Sequence, residues 1–400
     1  MIDLKAARAD PDAFRAALAR KGGVEDFDRA LAADARWRAL VPRVDELRSR
    51  TKLKGKPSEE ELAELQRLKA ELKAAEAELA AAEAERDAAL ALVPNPPHPS
   101  APDGEAEDDA VELRRVGEPI VPAEPREHTE IGRFDMERAA RVSGARFGYI
   151  IGDSALVAMA LYRFALEHLV QAGFTPVIPP VLVREEAMFG TGFFPTDRAN
   201  IYALEQDGLY LTGTSEVALA ALHMTEVLEE LPLRYAGFST CFRREAGAAG
   251  KDTRGMFRVH QFNKVEMFCF VEPEASWDEH ERMVDLEERY LQALGLPYRV
   301  MNVAAGDLGA SAAKKIDLEA WFPSQGRYRE VTSCSNTTDY QARRLGIRYR
   351  TEHGLAVPHT LNGTMVTDRT LLAILENFQG EVPEVLHSYG APPRIERSPT

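Results

Sequence analysis

Between Phe242 and Phe268 the chain reads FRREAGAAGKDTRGMFRVHQFNKVEMF, a pattern of two strands joined by a long polar loop. Side chains alternate across a strand, so Arg243 and Glu245 share one face while Arg244 points the other way. On the returning strand Val265, Met267, Cys269 and Val271 form an apolar face, with Phe262, Lys264, Glu266, Phe268 and Phe270 opposite. A sheet that packs one face on a core and offers aromatics and fixed charges on the other suits a flat, polar ligand. A second cation argues in the same direction. Asp368 reads as a helix N-cap, and Leu371, Ile374, Leu375 and Phe378 as the buried stripe that follows. Arg369 then falls in the first turn, the unfavourable end of the helix dipole for a cation. An anion must offset it, either a bound ligand or Asp368 itself.

These residues need a scaffold, and the chain has length for one. Its 400 residues, 45% hydrophobic and 28% charged, fit a globular protein of about two or three domains. The net charge of −15 excludes indiscriminate nucleic-acid binding, so any RNA contact must come from local basic patches. No apolar run approaches the roughly 20 residues that span a membrane, and the N-terminus shows no secretory apolar stretch. Cys241, Cys269 and Cys334 are far apart without a C-x-x-C pair; we expect small buried hydrophobes, no disulfide, no structural zinc, and a reducing cytoplasm.

Asp10 and Pro11 open an early helix as N-cap and first helical residue. Two long helical patterns follow. Ala33, Trp37, Leu40, Val44, Leu47 and Thr51 recur at alternating spacings of four and three, as do Leu65, Leu68, Leu72, Ala75, Leu79, Ala82, Arg86 and Ala89. Only Lys54-Gly55-Lys56-Pro57-Ser58 separates them, so they must pair as an antiparallel coiled-coil hairpin, its second arm on the order of 50 Å long. Arg48, Arg50, Lys52, Lys54 and Lys56 crowd its tip, with no acid between Leu47 and Ser58. Such a tip is either simply solvated or meets a phosphate backbone. A Pro-rich, then acidic stretch, Val93 to Pro119, marks a boundary. The expected division is a helical domain at residues 1–100, a linker at 101–120 and a larger domain at 121–400. The larger part mixes strands and helices without βαβ alternation, which predicts an α+β fold on an antiparallel sheet.

The run Phe242 to Phe268 resembles motif 2 of class II aminoacyl-tRNA synthetases, in the form used by bacterial-type seryl-tRNA synthetases. GFTPVIPPVL (from Gly173) resembles motif 1, LTGTSEVAL (from Leu211) the serine-binding strand, EVTSCSN (from Glu330) the metal-binding strand, and LNGTMVTDRTLLAILENFQ (from Leu361) motif 3. The likeness runs from Met1 to about Tyr389 in the family's order. It implies the class II catalytic core, a helix from about Asp153 to Gln171 at a homodimer interface, and a hairpin that grips the long variable arm of tRNA-Ser.

The resemblance also implies roles. Arg243 would bridge the serine carboxylate and the α-phosphate of ATP, and Arg244 belongs to the same ATP motif. Glu245 would meet the adenine amino group, Val259 would read adenine through its backbone, and Phe262 would stack on it. Glu330 and Ser333 would hold Mg²⁺ between phosphates, with Val331 and Thr332 beside them, and Arg369, counted with Arg243 as catalytic, would meet ATP at its γ-phosphate end or its adenine-stacking site. L-Serine would be held by Thr214, Ser215 and Glu216 through its amine, by Arg243, and by Glu266 and Thr364 through its hydroxyl. Taken alone, Thr-Ser-Glu is equally an ordinary helix start, and a lone strand Glu is usually just exposed. His260 reads as a hydrogen-bonded structural histidine, because this chemistry needs no dedicated base. The loop with Lys251 and Arg254 would order over ATP and then meet the tRNA acceptor end. Two departures stand out: the arm tip is a turn or two shorter than usual, and Asn362 to Arg369 is one residue shorter than the commonest form. The activity implied is serine–tRNA ligation, extending to tRNA-Sec. The rivals are a ligase that loads an amino acid onto a carrier protein, which would lack the arm, and a non-catalytic tRNA-binding paralogue, which would have lost ATP or serine contacts.

Overall fold

The computed structural model describes residues 1–52, 58–246, 252 and 255–395. The chain divides into two compact units, Met1–Pro96 and Pro97–Thr400.

The first unit is helical: α1 (Leu4–Ala9), α2 (Pro11–Ala19), α3 (Val24–Arg50) and α4 (Glu59–Leu92). Asp10 caps α2 through a bond from the Ala13 amide, with Pro11 at its first position. Helices α3 and α4 pair as the seam requires: Ala33, Val44, Leu47, Ala75, Ala82 and Ala89 are all buried. Where Arg86 interrupts the apolar seam, its guanidinium lies 4.2 Å from the centre of the Trp37 ring, so the charge is accommodated on an aromatic face. Near the tip the arginines are partly engaged: Arg48 pairs with Glu76 at 3.0 Å and Arg50 with Glu46 at 3.9 Å. Lys54 and Lys56 lie outside the described residues, as do Lys251 and Arg254.

The second unit is built on an eight-stranded sheet. Its strands are β1 (Val111–Val116), β2 (Thr175–Val177), β3 (Leu233–Phe242), β4 (Gln261–Val271), β5 (Tyr298–Asn302), β6 (Lys314–Phe322), β7 (Arg327–Asn336) and β8 (His359–Thr367), in the order β1-β5-β6-β7-β8-β4-β3-β2. All neighbours are antiparallel except the β2–β3 pair. Around it lie α5 (Asp153–Gln171), α6 (Glu216–Ala221), α7 (Ser276–Ala293), α8 (Tyr340–Arg344) and α9 (Asp368–Phe378). Val265, Met267, Cys269 and Val271 of β4 join one large core with residues of α5, α7 and α9. Gly173, at φ +88°, terminates the α5 segment in a backbone region that glycine enters without strain.

Three expectations need correction. Residues 101–120 are not a free linker, because Val111–Val116 is the edge strand of the sheet, paired with β5. Phe268 and Phe270 do not face a ligand; they are buried in a second core with Leu219 and Ala220 of α6 and Ala342 of α8. The cap of α9 is Thr367, whose side chain accepts from the Arg369 amide, and Asp368 is the first helical residue. Asp368 is instead drawn inward, accepting from the Asn263 amide at 3.0 Å and from the Tyr162 hydroxyl.

Candidate active site

Covering the far half of β4 with α6 and α8 leaves its near half, Phe262, Lys264 and Glu266, open to a cavity of about 440 Å³. Arg243 and Glu245 also line this cavity, but not through strand alternation. Strand β3 stops at Phe242, and Glu245 takes φ +53°, a left-handed turn of the chain. Arg243 is fixed by its amide donating to the His260 carbonyl at 2.9 Å and its Nε to the Gly213 carbonyl at 3.2 Å. Its guanidinium lies 5.2 Å from the centre of the Phe262 ring.

Two β-bulges shape the floor. Opposite Leu318 and Glu319 the partners on β7 are Thr332 and Glu330, so Val331 is an extra residue. Opposite Val265 and Glu266 the partners on β8 are Val366 and Thr364, so Met365 is extra. Glu330 and Ser333, three apart, would sit on opposite faces of a regular strand. The bulge brings both to the cavity, as the second does for Thr364 and Thr367.

Thr214, Glu216, Val259, Val331 and Arg369 complete the predicted residues that share this cavity. Three others do not line it. Arg244 lies 5.5 Å from the Tyr202 ring centre, Ser215 Oγ donates to the Gly237 carbonyl at 3.4 Å, and Thr332 Oγ1 donates to Glu287 at 3.0 Å. Ser215 is turned away as the residue before α6, and Thr332 falls on the core side of β7, toward α7.

The lining residues form two linked polar groups. In one, Glu266 is ion-paired with Lys264 and accepts from Thr214 Oγ1 at 3.3 Å, and Lys264 Nζ reaches Thr364 Oγ1 at 3.4 Å. Glu216 accepts from Gln341 at 2.7 Å and Asn362 at 3.0 Å. Burial raises the Glu216 carboxyl to about 7, with the Glu266 charge adding to it, and burial raises Glu266 as well. In the other group Arg369 lies 4.7 Å from the Phe257 ring centre, donates to the Glu330 carbonyl at 3.2 Å, and sits 3.9 Å from the Glu330 carboxylate. That carboxylate, with the phenyl face, answers the unfavourable helix position of Arg369. Burial alone would raise Glu330, but Lys315, Arg369, Arg243 and Lys264 together hold it below the ordinary carboxylate value. The positive field of Arg243 reaches Glu216, Glu266 and Glu330, and so touches both groups. Arg258 donates to Glu245 at 2.6 Å.

Sequence reasoning placed Lys264 on this face without a role and missed Gln341, Asn362, Arg258, Asp307 and Lys315 as neighbours of the site. The pair Lys264 and Glu266, two apart on one strand, was the available signal. Gln341 carries none, because it arrives from a separate helix. Among the described residues no group of three or more His, Cys, Asp or Glu side chains is arranged to hold a metal. Glu330 and Ser333 offer two hard oxygens in the cavity, a set that suits a cation completed by ligand oxygens.

An antiparallel sheet with this cavity on one face defines the catalytic core of a class II aminoacyl-tRNA synthetase, and the family model of that core domain (G, H, P, S and T) matches residues 202–378. The model of the seryl-tRNA synthetase N-terminal domain matches residues 1–97. A serine–tRNA ligase of Acidothermus cellulolyticus is 51% identical over 413 residues, covering 97% of this chain and 98% of its own. Among solved structures, a seryl-tRNA synthetase from Pyrococcus horikoshii complexed with ATP superimposes with a TM-score of 0.92 at 39% identity, covering 99% of this chain and 100% of its own. A cytoplasmic serine–tRNA ligase from Naegleria fowleri in complex with AMP gives 0.87 at 35% identity, covering 97% and 96%. The chain belongs to the seryl-tRNA synthetase family.

Proposed function

We propose that this chain acts as a serine–tRNA ligase, joining L-serine and ATP into seryl-adenylate and passing the seryl group to the 3′ end of tRNA-Ser, and of tRNA-Sec where that tRNA exists. The observation that carries this reading is one cavity that holds both a carboxylate-rich polar group around Glu216 and Glu266 and a cation–aromatic group around Arg369, with Arg243 acting on both.

In the first step a serine carboxylate oxygen bonds to the α-phosphorus, the bond to the bridging oxygen breaks, and pyrophosphate leaves. Anion meets anion, so the protein must screen charge and align the partners. Arg243 does this with its guanidinium fork on both reactants. Glu216 receives the ammonium group, while Glu266 and Thr364 meet the hydroxyl. Phe262 and Arg369 hold adenine, Val259 reads it through the backbone, and Glu245 accepts from its amino group. Glu330 and Ser333 are the residues that would hold Mg²⁺ with ATP, where it would neutralise phosphate charge, a role supported by the depressed proton affinity of Glu330. In the second step the terminal ribose hydroxyl attacks the serine carbonyl and AMP departs.

Arg48, Arg50 and Lys52 would meet tRNA phosphates, together with Lys54 and Lys56. A homodimer is supported by the exposed apolar side chains Leu156, Met159 and Val170 on α5 and Ile178 just beyond β2. Three free, buried cysteines fit a cytoplasmic protein, and no helix among the described residues is long and apolar enough to cross a membrane.

The test is ATP–pyrophosphate exchange across the amino acids. Serine should be fastest. Alanine lacks the hydroxyl that Glu266 and Thr364 expect, and each lost bond to a buried charged group weakens recognition roughly 10–200-fold. Equal exchange with alanine or glycine would overturn the serine assignment.

A further inference from the structure

Gln341, on α8, is fully buried, and its amide has a single sensible orientation. Its Oε1 accepts from Thr337 Oγ1 at 3.3 Å and from Thr360 Oγ1 at 3.0 Å. Its Nε2 donates to the Thr191 carbonyl at 3.2 Å and to Glu216 Oε1 at 2.7 Å. Turning the amide over would set its oxygen against a carbonyl and a carboxylate, neither of which donates. Asn362 Nδ2 places a second bond, at 3.0 Å, on the same Glu216 Oε1. No described residue donates to the other oxygen, Oε2, and Glu216 lines the cavity. Two rigid amides thus pin one oxygen of this carboxylate and leave the second for a ligand.

We propose that Gln341 is a positioning residue for the amino-acid substrate: it holds Glu216 with one oxygen fixed from behind and the other presented to the substrate ammonium group. This rests on the reading of Glu216 given above. The alternative is that Gln341 merely ties α8 to the segment around Thr191. The two differ in what they do to the charge of Glu216. An N–H on its oxygen favours the ionised form, against burial and the neighbouring Glu266, and alongside Lys264 and Arg243. Losing that donor must therefore make Glu216 harder to ionise, which a purely structural tie would not do.

The experiment compares the full-length wild type with Gln341→Met, which keeps the shape and lacks the donor, in ATP–pyrophosphate exchange from pH 6 to 9. The KM for serine should rise about tenfold or more, the loss expected for one bond to a charged group. The KM for ATP should stay within about twofold, and the acid limb of kcat/KM for serine should move upward by about half a pH unit or more. Asn362→Ala removes the other donor to the same oxygen and should reproduce both the split and the shift; it carries the test if Gln341→Met does not fold. Parallel rises in both KM values, or an acid limb that stays in place in a folded variant, would overturn the proposal. Absence of serine-dependent exchange in the wild type would instead overturn the function itself.

Discussion

His128 Nδ1 lies 2.8 Å from Glu376 Oε1, while His128 Nε2 accepts the Met256 amide at 3.1 Å. One imidazole therefore ties α9 to the point where the loop after β3 returns toward β4. Because Nε2 accepts, the ring proton sits on Nδ1 and is donated to Glu376. The other Glu376 oxygen takes the Ser324 hydroxyl at 2.6 Å. The fit is close: a Cβ on Gly255, which has φ +69°, would fall 2.6 Å from His128 Nε2.

Replacing His128 with Phe should leave a fully buried Glu376 without its ring donor and lower stability by about 1–3 kcal/mol in urea titration. Met256 and Phe257 line the cavity, so the KM for ATP should also rise several-fold. A variant with wild-type midpoint and wild-type KM for ATP would show the tie to be dispensable.

Arg243→Ala should abolish serine-dependent pyrophosphate exchange while circular dichroism and sedimentation stay unchanged. Its side chain touches one carbonyl and a ring face, and alanine keeps the backbone bond to His260, so little of the fold depends on the guanidinium. Normal exchange in this variant would rule out the bridging role.

Burial raises the Asp368 carboxyl to about 7, against about 3.9 in an unfolded chain. Between those values the folded protein holds a proton that the unfolded chain has released. Stability from this group is therefore fully present below about pH 4, is lost as pH rises toward 7, and is level above that. Asp368→Asn should flatten this limb, so the change in urea midpoint between pH 5 and pH 7.5 should be smaller than in the wild type. An unchanged limb would mean that Asp368 is ionised throughout.

Removing residues 24–92 with a short bridging linker should leave serine-dependent exchange nearly intact, since every cavity-lining residue lies in the second unit. Aminoacylation of tRNA-Ser should fall sharply, and the salt dependence of tRNA binding should become shallower as phosphate contacts are lost. Because Arg48 and Arg50 are partly paired with Glu76 and Glu46, Lys52→Ala should cost more than either arginine substitution. Equal charging by intact and armless proteins would refute the role of the arm.

The sequence made the hairpin legible because a coiled-coil seam repeats: the spacing from Ala33 to Thr51 matches the observed burial, and even the irregular Arg86 has its partner in Trp37. The bounds of α5 came from the family resemblance, and Gly173 just past its last turn agrees with them at the C-terminal end only. The edge strand β1 was not, since its side chains are mostly exposed and an acidic run precedes it, so no alternation betrays it. Thr367 and Asp368 are both good caps; the decision came from the Asn263 amide and the Tyr162 hydroxyl, which draw Asp368 inward from other elements. Within the site, motif residues on β4 could be read from alternation, whereas Glu330 with Ser333 and Thr364 with Thr367 depend on bulges that no residue type announces.

Those bulges bear on how the gene can change length. Elsewhere in a strand, gaining or losing one residue turns every later side chain over. At a bulge the register has slack: deleting Val331 would leave Glu330 two positions from Ser333, still on the same side, and deleting Met365 would do the same for Thr364 and Thr367, each at the cost of a buried core side chain. Single-residue gaps between this chain and its relatives can therefore settle between Glu330 and Ser333, or between Thr364 and Thr367, with the catalytic face preserved. A gap of one between Phe262 and Glu266 on β4, where no bulge absorbs it, would instead turn one of these two side chains away from the cavity.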